Sequence, residues 1–156
     1  MRQRHLEVDP QSVGTLAKDF KKAPREMVES MLKFEASPST DFILGAFLEE
    51  ELIGMLGFKR EVRKGSTLHK GTAWGFFVVP EQRNLGVGRK LVAEALEEIK
   101  QYEWCEMIRV MITTTDTAAI KIAEVFGFER YGTEKKSLKI NGNYFDDHYY
   151  NKYFDR

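Results

Sequence analysis

The sequence predicts a single mixed α/β domain. The expected sheet is twisted and mostly antiparallel, with about seven strands, four helices, a central parallel strand-helix-strand unit and a C-terminal hairpin. Three observations carry this expectation. Segments with apolar residues at helical spacing alternate with β-branched and aromatic runs. In the middle of the chain, Phe76-Phe77-Val78-Val79 leads through a glycine-containing loop into an amphipathic segment and then a β-branched run. Two such strands joined by a helix that packs on the sheet run roughly parallel. Near the end, Asn141-Gly142 separates two strand-like segments, the strongest short hairpin signal.

Residues 2–8 are expected to form a short first strand. Residues 11–22 follow as a helix with Val13, Leu16, Ala17 and Phe20 on one face. Pro24 suits a first helical position, and Met27, Met31 and Leu32 give helical spacing up to residue 36, where Ser37-Pro38-Ser39 ends the segment. Strands over 41–48 and 52–59 flank Glu49-Glu50-Glu51, whose three like charges keep a turn in water. Gly65-Ser66 is the next turn, and 67–79 a long strand ending at Pro80. The last part of that strand is apolar without alternation, the pattern of a central strand covered on both faces. A helix then runs to about Lys100 with Val87, Leu91, Val92, Ala95, Leu96 and Ile99 on its apolar face. A strand over 107–113, a helix over 116–126 stopped by Gly127, and strands over 129–140 and 144–154 complete the order.

The chain has 156 residues, which suits one core, so residues 1–156 are expected to form one domain. Lys plus Arg equals Asp plus Glu, at 24 each. That balance gives no whole-molecule attraction to nucleic acid or to an anionic membrane, and neither is expected as a partner. The longest apolar runs are too short to span a bilayer. The single cysteine, Cys105, forms no intrachain disulfide and reads as a small bystander thiol. A soluble cytoplasmic protein is the expectation. Three scattered histidines, His5, His69 and His148, do not suggest a metal site.

The chemistry is expected in the loop that follows the central strand. The first N–H groups of a helix have no internal partners, and the helix dipole places about half a positive charge there. A phosphate can take those donors. Gly86 and Gly88 let a backbone approach it closely; Arg83 adds a charged donor at the rim, with Arg89 and Lys90 near it. A P-loop would need Gly-Lys-Ser/Thr, which is absent, and a dinucleotide fingerprint would need a third glycine where Leu91 stands.

The run Val78-Val79-Pro80-Glu81-Gln82-Arg83-Asn84-Leu85-Gly86-Val87-Gly88-Arg89-Lys90-Leu91 resembles the coenzyme A loop of the GNAT superfamily of N-acetyltransferases. The run Asp116-Thr117-Ala118-Ala119-Ile120-Lys121-Ile122-Ala123-Glu124-Val125-Phe126-Gly127-Phe128 resembles the family's second signature, a helix opened by Asn and closed on Gly-Phe. The element order is similar from end to end. The resemblance implies a GNAT-like fold and acetyl-CoA as cosubstrate. It implies that Phe76, Phe77 and Val78 offer edge N–H and C=O groups to the pantetheine, that this strand splays from the next, and that Arg83, Asn84, Leu85, Gly86, Val87, Gly88 and Arg89 cradle the pyrophosphate. Asp116 stands where the family's coenzyme-contacting Asn stands, and is also a good N-cap.

The family's usual general acid, a Tyr four residues before that Gly, is Ala123 here. A Glu general base that some relatives carry on the preceding strand is Met111. The resemblance supplies the N–H near Val78 as the oxyanion donor. Asp116, Tyr144, Tyr131 and Glu35 are the candidates for moving protons. The expected activity is acetyl transfer to a primary amine by direct attack in a ternary complex, the amine being a small molecule or a peptide and a homodimer being allowed. The rival readings are a non-catalytic acyl-CoA-binding or sensing module and an enzyme using a longer acyl donor. Alternate aromatic residues of 144–154 are expected to pack the sheet, a substrate-pocket role for some of them being the minority alternative. Asp146-Asp147 could attract a cationic amine, but the favoured expectation is an exposed edge without that role.

Overall fold

The computed structural model describes residues 7–8, 40–62 and 65–156. Glu7 and Val8 are helical, which corrects the end of the strand expected over 2–8. The rest of that strand, the helices expected over 11–22 and 24–36, His5 and Glu35 lie outside the described residues. Six strands and two α-helices are present among the described residues, against about seven and four expected: β1 (Phe42–Leu48), β2 (Glu51–Arg60), β3 (Lys70–Val78), α1 (Val87–Lys100), β4 (Met107–Thr113), α2 (Thr117–Val125), β5 (Glu129–Ile140) and β6 (Asn143–Tyr153).

The strands form one sheet in the order β1-β2-β3-β4-β6-β5. Every pairing is antiparallel except β3 with β4, which is parallel. Glu51 joins β2 opposite Leu48, leaving a two-residue turn at Glu49-Glu50. Asn141 and Gly142 both take positive φ, 50° and 86°, the turn that matches the right-handed twist of a hairpin. Gly65–Thr67 form a 3-10 turn and 68–69 a further turn, so β3 starts at Lys70.

Both α-helices pack on one face of the sheet. On α1, Leu91, Leu96 and Ile99 are no more than 6% exposed, each contributing about 1.5–3 kcal/mol by burial. Leu96 and Ile99 join Phe58 of β2, Ile108 and Ile112 of β4, Ala119 and Ala123 of α2 and Tyr150 of β6 in the helix-face core. A second cluster of Ile53, Met55, Phe77 and Val79 lies on the far face, with Trp74 against it. The end of β3 thus packs on both sides, Phe76 toward the helices and Phe77 away from them, as its unbroken apolar run predicts.

Candidate active site

The parallel pairing of β3 and β4 covers only Lys70–Met107, Gly71–Ile108 and Thr72–Arg109. Beyond that point β3 continues to Val78 and β4 to Thr113 with no bonds between them. A β-bulge sets β3 on its separate course. Trp74 faces Gly57 and Phe77 faces Met55, so Gly75 and Phe76 together oppose Leu56. Gly75 takes φ of 65° there. Bulges bend the strand that carries them and re-aim its side chains. A cavity of about 100 Å³ occupies the resulting gap, lined by Trp74 and Phe76 of β3, Met111 and Thr113 of β4, Asp116 and Ala123.

The N–H of Val79 donates to Ile53 O on β2 at 2.9 Å. Backbone groups of successive strand residues point to opposite sides. Val78 and Phe76 therefore direct their N–H and C=O groups away from β2, toward the gap, while those of Phe77 face Met55 of β2. The pairing of Phe77 with Met55 differs from the expectation that all three residues offer edge amides. Arg83 is tied to the same edge, its Nε donating to Val78 O at 3.0 Å and its guanidinium lying 5.6 Å from the Phe77 ring centroid.

The loop from Arg83 to Gly86 turns the chain into α1. Asn84 and Gly86 both have positive φ, 62° and 84°. Gly86 is the N-cap residue and no side chain caps the helix, so the first-turn N–H groups of Val87, Gly88 and Arg89 have no intrahelical acceptor. A Cβ built on Gly86 would meet nothing within 4 Å. Gly88 differs: its Cβ would come within 2.9 Å of Phe76 Cζ and 3.2 Å of Ile122 Cδ1. Gly88 is thus needed for α1 to approach β3 and α2, a packing role that the sequence motif does not reveal. Leu85 is 69% exposed at the tip. A cavity of about 380 Å³ runs along this loop, bounded by Phe76 and Val78, by Arg83, Gly86 and Arg89, and by Asp116 across from them. That volume is in the usual range for small-molecule sites, about 300–1,000 Å³.

Asp116 and Phe76 line both cavities, which makes the loop cleft and the strand gap adjoining spaces. Asp116 is the N-cap of α2, its Oδ1 accepting from Ala119 N at 3.0 Å. Ala123 is buried and lines the gap. Met111 lines it too and is 48% exposed.

The other candidates lie apart. Tyr144 lines neither cavity; it is exposed at the start of β6, with the ammonium groups of Lys136 and Lys139 at 5.3 and 5.1 Å from its ring centroid. Tyr131, on the edge strand β5, is exposed and packs on Tyr149 with centroids 5.9 Å apart. Cys105 is fully buried, and burial pushes its thiol up to about 11, so it is protonated at neutral pH and inert. No group of three or more potential metal ligands occurs among the described residues, and no described helix is long and apolar enough to cross a membrane. Asp146 and Asp147 do not share an exposed edge as expected. Asp146 bonds Lys135 Nζ and Lys136 N, both at 2.8 Å, and the Lys135 bond holds its carboxyl below the usual range. Asp147 is fully buried. The bulge that puts residues 135–137 of β5 opposite Asp146 gives no signal in the sequence.

A sequence model of the acetyltransferase (GNAT) family matches residues 10–128, more than half of the chain. The chain belongs to the GNAT acetyltransferase family. A curated relative, the L-amino acid N-acetyltransferase AaaT of Escherichia coli K12, is 32% identical over 76 residues, 49% of this chain and 47% of that protein. The match thus spans about half the length of the relative. Among solved structures, ribosomal-protein-alanine N-acetyltransferase from Brucella melitensis superposes with a TM-score of 0.80 at 21% identity, covering 97% of this chain and 89% of its own. The protein yncA from Salmonella typhimurium, solved with its cofactor acetyl-CoA, gives 0.82 at 12% identity over 99% of this chain and 84% of its own. These structures establish the GNAT fold: a mixed sheet, mostly antiparallel, with one parallel pair.

Proposed function

We propose that this protein transfers an acetyl group from acetyl-CoA to a primary amine by direct attack in a ternary complex. The observation that carries the reading is the early end of the β3–β4 pairing at Thr72 and Arg109, which opens a gap that adjoins the glycine-loop cleft. The cleft fits a pyrophosphate: its floor is an uncapped helix start with open space above Gly86, and Arg83 and Arg89 stand on its wall. The E. coli relative's name, an L-amino acid N-acetyltransferase, supports an amine acceptor.

Bound there, acetyl-CoA supplies an acetyl thioester, the acyl donor for an incoming amine. The protein's own contributions follow from the geometry. Val87, Gly88 and Arg89 donate backbone N–H groups to the phosphates, joined by the Arg83 and Arg89 side chains. Phe76 offers its N–H and C=O to the pantetheine arm as a further strand would. The Val78 N–H, directed into the gap, stabilises charge that develops on the carbonyl oxygen. Asp116, at the junction of the two cavities, is better placed than Tyr144 to accept a proton. Neither Ala123 nor Met111 can, and a missing general base costs a factor of about 10²–10⁴, which slows the reaction without abolishing it.

Calorimetric titration with acetyl-CoA, CoA and ATP, followed by an acetyl-transfer assay over a panel of primary amines, tests the reading. Binding of acetyl-CoA but not ATP, with turnover of one or more amines, is the expected result. Ala123 and Met111 favour a second reading, a non-catalytic acyl-CoA-binding module. Tight acetyl-CoA binding with no turnover across the panel would establish that one instead. Donors of increasing chain length separate acetyl transfer from longer acyl transfer.

A further inference from the structure

The far face of the β4–β6 ladder carries three cross-strand pairs in a row: Arg109 with Asn151, Met111 with Tyr149, and Thr113 with Asp147. Ile108 and Ile112 of β4 and Tyr150 of β6 belong to the helix-face core, and strand alternation places the residues between them on the other side. Three buried polar atoms on this face have no hydrogen-bond partner among the described residues: Arg109 Nε, Asn151 Oδ1 and Asp147 Oδ1. Nearly all buried polar atoms in native proteins are paired, so each such atom calls for an explanation. Between them, Met111 is 48% exposed and opens the middle of the row to solvent. Met111 and Thr113 also line the β3–β4 gap.

Asp147 is the most demanding of the three. It is fully buried. Its Oδ2 accepts from Ser137 Oγ at 2.7 Å, and among the described residues nothing donates to its Oδ1. Glu134, its direct cross-strand neighbour on β5, adds a second carboxylate, bonded by Tyr149 Oη and, at 3.4 Å, by Ser137 Oγ. Like charges opposite each other on one face are unfavourable, and a buried carboxylate needs a cation or a full set of donors. The hydroxyls of Ser137 and Tyr149 are neutral, so among the described residues no cation answers these two charges. By ladder geometry Asp147 lies about 8 Å from Met111 between Cα atoms, one strand over and two residues along.

We propose that Asp147 receives the amino group of the acceptor, which is therefore a cationic primary amine seated on the far face over Met111 beside the gap. The inference rests on the N-acetyltransferase reading and names the acceptor's chemical class and its recognising residue. An ammonium supplies both things that Asp147 lacks, a positive charge and a hydrogen-bond donor for Oδ1, and its nitrogen attacks the thioester only after giving up one proton, to Asp116 in the scheme above. Thr113, the cross-strand partner of Asp147, stands on the wall of the gap where the thioester would lie.

Direct binding to protein saturated with CoA tests this independently of turnover. The probes are n-butylamine, 1,4-diaminobutane and the twenty L-amino acids, with 1-butanol as the neutral counterpart of n-butylamine. The expected result is that amines bind and that 1-butanol binds at least about tenfold more weakly than n-butylamine, the usual loss for one charged hydrogen bond. Asp147→Asn, which retains the shape and the Ser137 contact, weakens the tightest-binding amine by a similar factor. It raises KM for that amine more than it lowers kcat and leaves acetyl-CoA affinity unchanged. The proposal is overturned if no probe amine binds, if 1-butanol binds as well as n-butylamine, or if the Asn variant holds the amine as tightly as the parent. Should the variant fail to fold, the comparison of amine with alcohol on the parent protein decides. Amine binding without acetyl transfer would sink the enzymatic reading and leave the assignment of Asp147 standing.

Discussion

Arg83 Nε donates a hydrogen bond to the carbonyl oxygen of Val78, 3.0 Å away. This bond joins the loop proposed to receive the phosphates to the strand end whose N–H is directed into the β3–β4 gap. The carbonyl belongs to the Val78–Val79 peptide, whose own N–H is bonded to Ile53 O. The guanidinium thus steadies the Val78 N–H from the next peptide along, and orientation of a donor governs how well it meets developing charge. Arg83→Ala is therefore expected to act twice. Acetyl-CoA affinity falls by ~1–3 kcal/mol for the lost charged contact, more at low salt than at high salt. In addition, kcat falls, because Val78 is no longer held on its carbonyl side and its N–H loses that support. Titration at two ionic strengths and steady-state kinetics separate the effects; an unchanged kcat would confine Arg83 to binding.

The two glycines of the loop are needed for different reasons, and their alanine variants should differ accordingly. Gly86 has open space around its Cβ position but φ of 84°, which costs an L-residue about 1–2 kcal/mol. Gly86→Ala should lose that much stability while the core stays intact. At Gly88 the added methyl meets Phe76 and Ile122, and overpacking costs about 1–3 kcal/mol. Because Phe76 borders both cavities, Gly88→Ala should also weaken acetyl-CoA binding. Gly86→Asp tests the phosphate placement directly: a carboxylate there should abolish acetyl-CoA affinity in a protein that still unfolds cooperatively.

Cys105 gives a pH dependence of definite sign. Burial, the main cause, raises its thiol from the ordinary 9.0 to about 11. The unfolded chain loses this proton at lower pH than the folded one. In the interval between these two values the native state binds more protons, and stability falls as pH rises through it. Denaturant titrations from pH 8 to 11 should show the decline in the parent protein and a flatter profile in Cys105→Ala, which also starts from lower stability because the site is fully buried. Equal slopes would mean that other groups carry the effect.

Much of this site was legible in the sequence because its signals are local. The unbroken run Phe76 to Val79, the loop to Gly88 and the Gly127-Phe128 ending each depend on residues adjacent in the chain, and β4 and β5 have the bounds that periodicity predicts. The features that were not legible depend on registers between strands. The bulge at Gly75 decides which amides face the gap, and it exists only relative to Leu56 on β2. The burial of Asp147 depends on β6 lying between β4 and β5 and on the bulge over 135–137, neither of which a pair of adjacent aspartates announces. Tyr144 is an exposed aromatic by its sequence and by its structure, yet three residues along β6 separate it from the partner of Thr113, and that offset takes it off the cavity walls.

Asp116 is both a helix cap and a wall of the two cavities, and one pair of variants can divide these roles. Asn caps a helix about as well as Asp, whereas Ala forfeits the cap at a cost of about 0.5–2 kcal/mol. Asp116→Asn should therefore unfold at nearly the same denaturant concentration as the parent, while Asp116→Ala unfolds earlier by that amount. If the carboxylate accepts the amine's proton, Asn removes the base but keeps the cap, and kcat falls by on the order of 10²-fold or more with acetyl-CoA affinity retained. A variant as active as the parent would leave Asp116 a structural cap. Parallel losses of stability and activity in the Ala variant alone would mean that α2 must be anchored for the cleft to keep its shape.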